Sequence, residues 1–124
     1  MPTRVLVVDD SMLIRHTVCR VLEGRGFTVE TATNGVEALE MLAGGMQPDL
    51  IVTDLQMPKM DGYQFMAALK ESPHTAVIPV VVLAGRQSSE QKSDNRARWV
   101  IYKDIDIVAQ LQRAVSSILP AVSS

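Results

Sequence analysis

The sequence has one cysteine, two histidines and no apolar stretch approaching the ~20 residues that a membrane span requires. A lone Cys19 cannot form an internal disulfide framework. Its neighbours Ile14, Val18, Val21 and Leu22 recur at helical spacing, so it is expected as a small buried apolar residue. His16 and His74 have no partners at ligand spacing, so a zinc site is not expected. The formal net charge is only -2, from 12 basic and 14 acidic residues. Without a broad basic field, neither nucleic acid nor an anionic membrane is an expected partner. The first ten residues lack the basic start and small-residue cleavage site of a secretory signal, and a cytoplasmic protein is expected.

The chain does contain enough apolar material for a core. With 124 residues, 47% of them hydrophobic, it is expected to form one domain over residues 1–120 that buries roughly two thirds of its unfolded surface. Residues 121–124 are expected as a loose tail. Short β-branched runs alternate with amphipathic stretches, which predicts an α/β fold with a parallel sheet. Strands are expected over Arg4–Val8, Phe27–Ala32, Leu50–Thr53, Ile78–Leu83 and Trp99–Tyr102. Helices are expected over Met12–Glu23, from Asn34 through Val36, Leu39 and Leu42, over Tyr63–Glu71 and over Ile105–Leu119. The stretch from Gly85 to Arg98 is polar throughout its middle, so the fourth crossover helix is expected to be short or disordered.

In a doubly wound parallel sheet, binding groups gather beyond the carboxyl ends of the strands. The first strand is followed by Asp9 and Asp10, the third by Asp54, the fourth by Ala84 and Gly85, and the fifth by Lys103. Taken alone, Asp9 and Asp10 would read as solvated loop acids; together with Asp54 and Lys103 they read as one site. Two carboxylates about 4 Å apart repel by about 4 kcal/mol at an effective dielectric near ~20. Lys103 offsets part of that charge. The remainder suits a divalent cation with hard oxygen ligands, Mg²⁺ or Mn²⁺. A cation, a lysine and an unencumbered carboxylate suit phosphoryl transfer, with Asp54 as nucleophile. Asp61 before Gly62 reads instead as a helix-start acid, and Met12, Met57 and Met60 as packing residues.

The segments VLVVDDSMLIR, PDLIVTDLQMPKMDG and PVVVLAG, with a lysine ending the fifth strand, resemble the receiver domain of two-component response regulators, the CheY-like fold. That resemblance implies a three-layer, flavodoxin-like (βα)5 sheet with strand order 2-1-3-4-5. It implies that Asp10 binds Mg²⁺ directly, Asp9 mainly through water, and that Asp54 and the backbone carbonyl of Gln56 complete the metal shell. It further implies that Asp54 accepts a phosphoryl group from a sensor histidine kinase or phosphotransfer protein. Lys103 and the Gly85 backbone N–H would contact the phosphoryl oxygens, and Pro58 and Gly62 would shape the following loop. The first helix and the loops after the first, third and fifth strands would form the docking face.

The sequence also departs from that family at its switch positions. Ala84 stands where members usually carry Ser or Thr, Val100 where they carry an aromatic residue, and Asp104 where they carry Pro after the lysine. Losing a charge-assisted hydrogen bond at Ala84 is worth about 1.5–3 kcal/mol. The expected function is therefore a stand-alone, atypical phosphoacceptor, a monomer or weak dimer that signals to an unknown downstream protein through protein contacts; a piece of a larger protein is the other possibility. The alternative is a pseudo-receiver, a binding module that signals without phosphorylation. A turnover phosphatase is disfavoured because Gln56, not an acid, lies two residues after Asp54.

Overall fold

Runs of β-branched residues buried on both faces force strands into the middle of a layered structure, and these strands alternate strictly between two cores. The computed structural model describes residues 3–85, 97–103 and 106–119. In order, the elements are β1 (Arg4–Val8), α1 (Met12–Gly24), β2 (Thr28–Ala32), α2 (Gly35–Ala43), β3 (Leu50–Asp54), α3 (Gly62–Lys70), α4 (Pro73–Ala76), β4 (Val80–Ala84), β5 (Trp99–Tyr102) and α5 (Ile107–Ile118). The five strands are parallel in the order β2-β1-β3-β4-β5. Val5, Val7, Leu50, Val52, Val81 and Leu83 face α1 and α5. Their neighbours Leu6, Val8, Ile51, Val80 and Val82 face α2 and α3. Strand order reverses direction between β1 and β3, which places a crevice beyond the carboxyl ends of those two strands.

Local chemistry sets the helix boundaries. Ser11 caps α1 by accepting from the Ile14 N–H at 3.3 Å, and Asn34 caps α2 by accepting from the Glu37 N–H at 2.9 Å. Asp61 and Gln64 exchange bonds as a capping box at the start of α3. The last helix begins at Ile107, two residues later than its apolar pattern suggests, because Asp106 caps it through the Ala109 N–H. β4 likewise begins at Val80, since Pro79 has no N–H to give the ladder and only its carbonyl takes part, accepting from Ile51. The single turn α4, with Pro73 at its start, has no apolar periodicity and was not expected. Of the Gly85–Arg98 stretch, where the crossover helix is expected to be short or disordered, residues 86–96 lie outside the described residues.

The methionines divide. Met57 and Met60 pack on the α2/α3 core, whereas Met12 is 77% exposed, contrary to its expected packing role. It stands in the first turn of α1, where the helix leaves the sheet and, among the described residues, no second element covers it. Cys19 is half-buried against the α1/α5 core, close to expectation.

One glycine is required by space. Gly62 donates its N–H to the Leu55 carbonyl at 2.8 Å, folding the β3–α3 loop back onto the strand end. A Cβ there would lie 2.4 Å from the Asp54 carbonyl oxygen and 2.8 Å from the Leu55 Cα. Both are backbone atoms and cannot turn aside. The Gly62→Ala variant is expected to lose about 3 kcal/mol of unfolding free energy in urea titrations. A loss under about 1 kcal/mol would show that the loop yields freely.

Candidate functional site

β1 and β3 are neighbours with Val8 level with Thr53, so the residues that follow, Asp9 and Asp54, come out side by side at the crevice. Asp9 is fully buried and Asp54 nearly so, while Asp10 is exposed. Lys103 follows β5, two strands away from β3, and its side chain passes over the end of β4. Its Nζ lies 2.9 Å from Asp54 Oδ2 and 3.4 Å from Asp9 Oδ2. Oxygens of Asp9, Asp10 and Asp54 lie within 4.8 Å of one another. Four residues from three separate segments thus share one pocket.

Backbone donors fix the two carboxylates. Asp54 Oδ1 accepts from the Leu55 N–H at 2.8 Å and from the Gln56 N–H at 3.4 Å, which turns Oδ2 toward Lys103. Asp9 Oδ1 accepts from the Ser11 N–H at 2.8 Å. Among the described residues, Asp9 Oδ2 is buried without a hydrogen bond, although Lys103 is within ion-pairing distance. Burial pushes the Asp9 carboxyl above its ordinary range, opposed by the Ser11 N–H, reinforced by the negative charge of Asp54, and opposed again by Lys103. An acidic pocket with an unsatisfied buried oxygen and hard oxygen donors matches what a small divalent cation requires.

The other expected residues fall around this centre. Gln56 lies in the turn after Asp54, and among the described residues no backbone N–H takes its carbonyl. Gly85 follows the buried Ala84 at the same end of the sheet and is exposed. Val100 sits half-buried in β5 opposite Val82, level with Thr53 and so one residue before Asp54 in register. His16 and His74 are exposed on their helices. Two residues were not singled out by the sequence. Arg15, on α1, donates to the Asp9 carbonyl at 2.7 Å, and Gln110, on α5, bonds the backbone just before Lys103. Arg15 lies one helical turn beyond the cap Ser11, the only sequence signal for its role.

The Asp9 environment fixes the sign of a pH effect. A raised folded pKa means that the folded state takes up a proton before the unfolded chain does. The charged Asp9 therefore costs stability above its folded pKa, and that cost disappears as pH falls toward the ordinary value of 3.8. In metal-free protein, Asp9→Asn is expected to be more stable than the parent at neutral pH. The gain over the parent should shrink as the medium is acidified through that window, as read by urea unfolding in chelator. A variant less stable than the parent at neutral pH would contradict this.

Comparison with known proteins gives the same assignment. The sequence profile of the response regulator receiver domain matches residues 5–115. Response regulator MprA of Mycobacterium sp. (strain KMS) is 38% identical over 92 residues, which cover 74% of this chain and 39% of that protein. The chain therefore spans about two fifths of that regulator's length. Chemotaxis response regulator CheY4 of Vibrio cholerae superposes with a TM-score of 0.84 at 31% identity, over 96% of this chain and 100% of CheY4. The signal receiver domain of a signal transduction histidine kinase from Syntrophus aciditrophicus superposes with a TM-score of 0.75 at 30% identity, over 94% and 92% of the two chains. The five-stranded order β2-β1-β3-β4-β5 and the acidic pocket at its switch point fit these matches: the chain belongs to the response regulator receiver domain family.

Proposed function

We propose that residues 1–120 act as one receiver domain, a Mg²⁺-dependent phosphoacceptor that takes a phosphoryl group onto Asp54 and signals by changing its affinity for other proteins. The observation that carries this reading is the Lys103 Nζ at 2.9 Å from Asp54 Oδ2, inside a cluster of three carboxylates. Asp9, Asp10, Asp54 and the Gln56 carbonyl would hold Mg²⁺ or Mn²⁺. Bound there, the cation would neutralise the carboxylates and the oxygens of an incoming phosphoryl group.

The chain's own residues divide the remaining work. The Leu55 and Gln56 N–H groups hold Asp54 Oδ1, leaving Oδ2 as the attacking atom. Oδ2 forms the new bond to phosphorus as the bond from phosphorus to the donor imidazole nitrogen breaks, and that electron pair returns to the imidazole. Lys103 exchanges its carboxylate partner for the transferred phosphoryl oxygens, acting as a point charge. The Gly85 N–H would add a neutral donor. The phosphohistidine donor, a sensor histidine kinase or phosphotransfer protein, must cover the crevice rim. Met12 and Leu13, 77% and 72% exposed beside Asp10, give that rim an apolar surface on α1.

One observation favours the second reading, a pseudo-receiver that signals unphosphorylated. Ala84 is completely buried at the end of β4 and offers a methyl group where a hydroxyl would reach the phosphoryl oxygens. Incubation with Mg²⁺ and acetyl phosphate, followed by intact-mass measurement, separates the two. A single phosphoryl adduct that is lost in Asp54→Asn supports the phosphoacceptor; no adduct in the parent supports the pseudo-receiver. In the phosphoacceptor, Ala84→Ser is expected to raise the adduct fraction by roughly tenfold at limiting acetyl phosphate. An unchanged fraction would show that the missing hydroxyl does not limit the reaction.

A further inference from the structure

The backbone immediately before Lys103 is held by a side chain from another element. Gln110 accepts from the Tyr102 N–H at 3.0 Å through Oε1 and donates to the Tyr102 carbonyl at 2.8 Å through Nε2. The same Nε2 also donates to the Asp106 carbonyl at 3.2 Å, within the first turn of α5. Tyr102 ends β5, which is four residues long and forms the edge of the sheet. A short edge strand has no ladder on its outer side and frays at its ends. Here the planar amide of Gln110 takes the place of a neighbouring strand. On the inner side, the Lys103 N–H donates to the Ala84 carbonyl at 2.8 Å. α5 is itself anchored by buried Leu111, Ala114 and Val115.

We infer that Gln110 is a positioning residue for Lys103: it fixes the carboxyl end of β5 so that the lysine ammonium stays on Asp54 and Asp9. This rests on the phosphoacceptor reading above for its consequence, but not for its geometry. A free lysine side chain carries about 2 kcal/mol of rotamer entropy, and a charge-stabilising group displaced by about 1 Å loses much of its effect on rate. With the peptide that leads into it held on both sides, by Gln110 and by the Ala84 carbonyl, Lys103 enters the site from a fixed strand end. Gln110 touches neither carboxylate and acts only through Tyr102 and Lys103.

The competing role is a purely structural one, in which Gln110 seals the sheet edge. A double-mutant cycle distinguishes the two. The parent, Gln110→Met, Lys103→Met and the double variant are compared for the rate of adduct formation with Mg²⁺ and acetyl phosphate. Gln110→Met keeps the shape and neutrality of the side chain and removes all three bonds, the two to Tyr102 and the one to Asp106. It is expected to slow the reaction about tenfold when Lys103 is present and less than about twofold in the Lys103→Met background. An equal slowing in both backgrounds, or none in either, overturns the inference. Gln110→Asn, one methylene too short to span both groups, replaces Gln110→Met if thermal melts show that variant unfolded. A second readout needs no phosphorylation. In the metal-free chain the two Lys103 Hε protons should have distinct NMR shifts in the parent and coincident shifts in the Gln110 variant. Coincident shifts in the parent, or distinct shifts retained in the variant, overturn the inference. A parent that forms no adduct defeats the phosphoacceptor reading, and the spectra then decide the role of Gln110.

Discussion

The contact on which the rest depends is one ammonium shared by two carboxylates at the end of a buried sheet. Lys103 reaches Asp54 and Asp9 across the end of β4, and without it two charges of the same sign would stand nearly desolvated beside each other. Carboxylates at that spacing repel by several kcal/mol, and burial alone already raises the Asp9 proton affinity. Among the described residues, one positive charge for three acids leaves the pocket short of cations. On the proposed reading, that deficit is what a metal ion or a change of charge at Asp54 would relieve, since a site electrostatically complete on its own would gain nothing from either.

The fold makes this arrangement tolerable by separating tasks. Strands β1 and β3 supply the acids from the middle of the sheet, where apolar layers on both faces hold the backbone rigid. Loop backbone then satisfies one oxygen of each acid: the Ser11 N–H for Asp9, and the Leu55 and Gln56 N–H groups for Asp54. Gly62 lets the β3–α3 loop close against the strand. Each carboxylate is thus half satisfied by the protein and half directed into the pocket. Arg15 and Gln110 work one step further out, on the Asp9 carbonyl and on the Tyr102 backbone.

The parallel α/β class and the strand-end positions of Asp9, Asp54 and Lys103 were legible because they follow from the alternation of apolar runs and from what stops each run; the strand order came only with the family resemblance. The caps at Asn34 and Asp61 were legible from residue type. The difference between Asp9 and Asp10 was not: both follow β1, yet one is fully buried and the other exposed, a distinction that depends on which way the chain turns into α1. Arg15 and Gln110 were missed because each bonds a main-chain group, and a main-chain group leaves no mark in the sequence of its partner. The exposure of Met12 was missed because its helical position places it inside only if something covers the first turn of α1. The one-turn α4 is too short for periodicity to show.

The central claim is that the acidic pocket is short of positive charge and relieved by a divalent cation. Unfolding free energy measured against Mg²⁺ concentration at neutral pH tests it directly, since a ligand that binds only the folded state stabilises it in proportion to the logarithm of its concentration. The expected result is a rise of about 1.4 kcal/mol per tenfold increase in Mg²⁺ above the dissociation constant, greatly weakened in Asp10→Asn. A parent protein whose stability does not change with Mg²⁺, or that gains as much from the same ionic strength of sodium chloride, would contradict it.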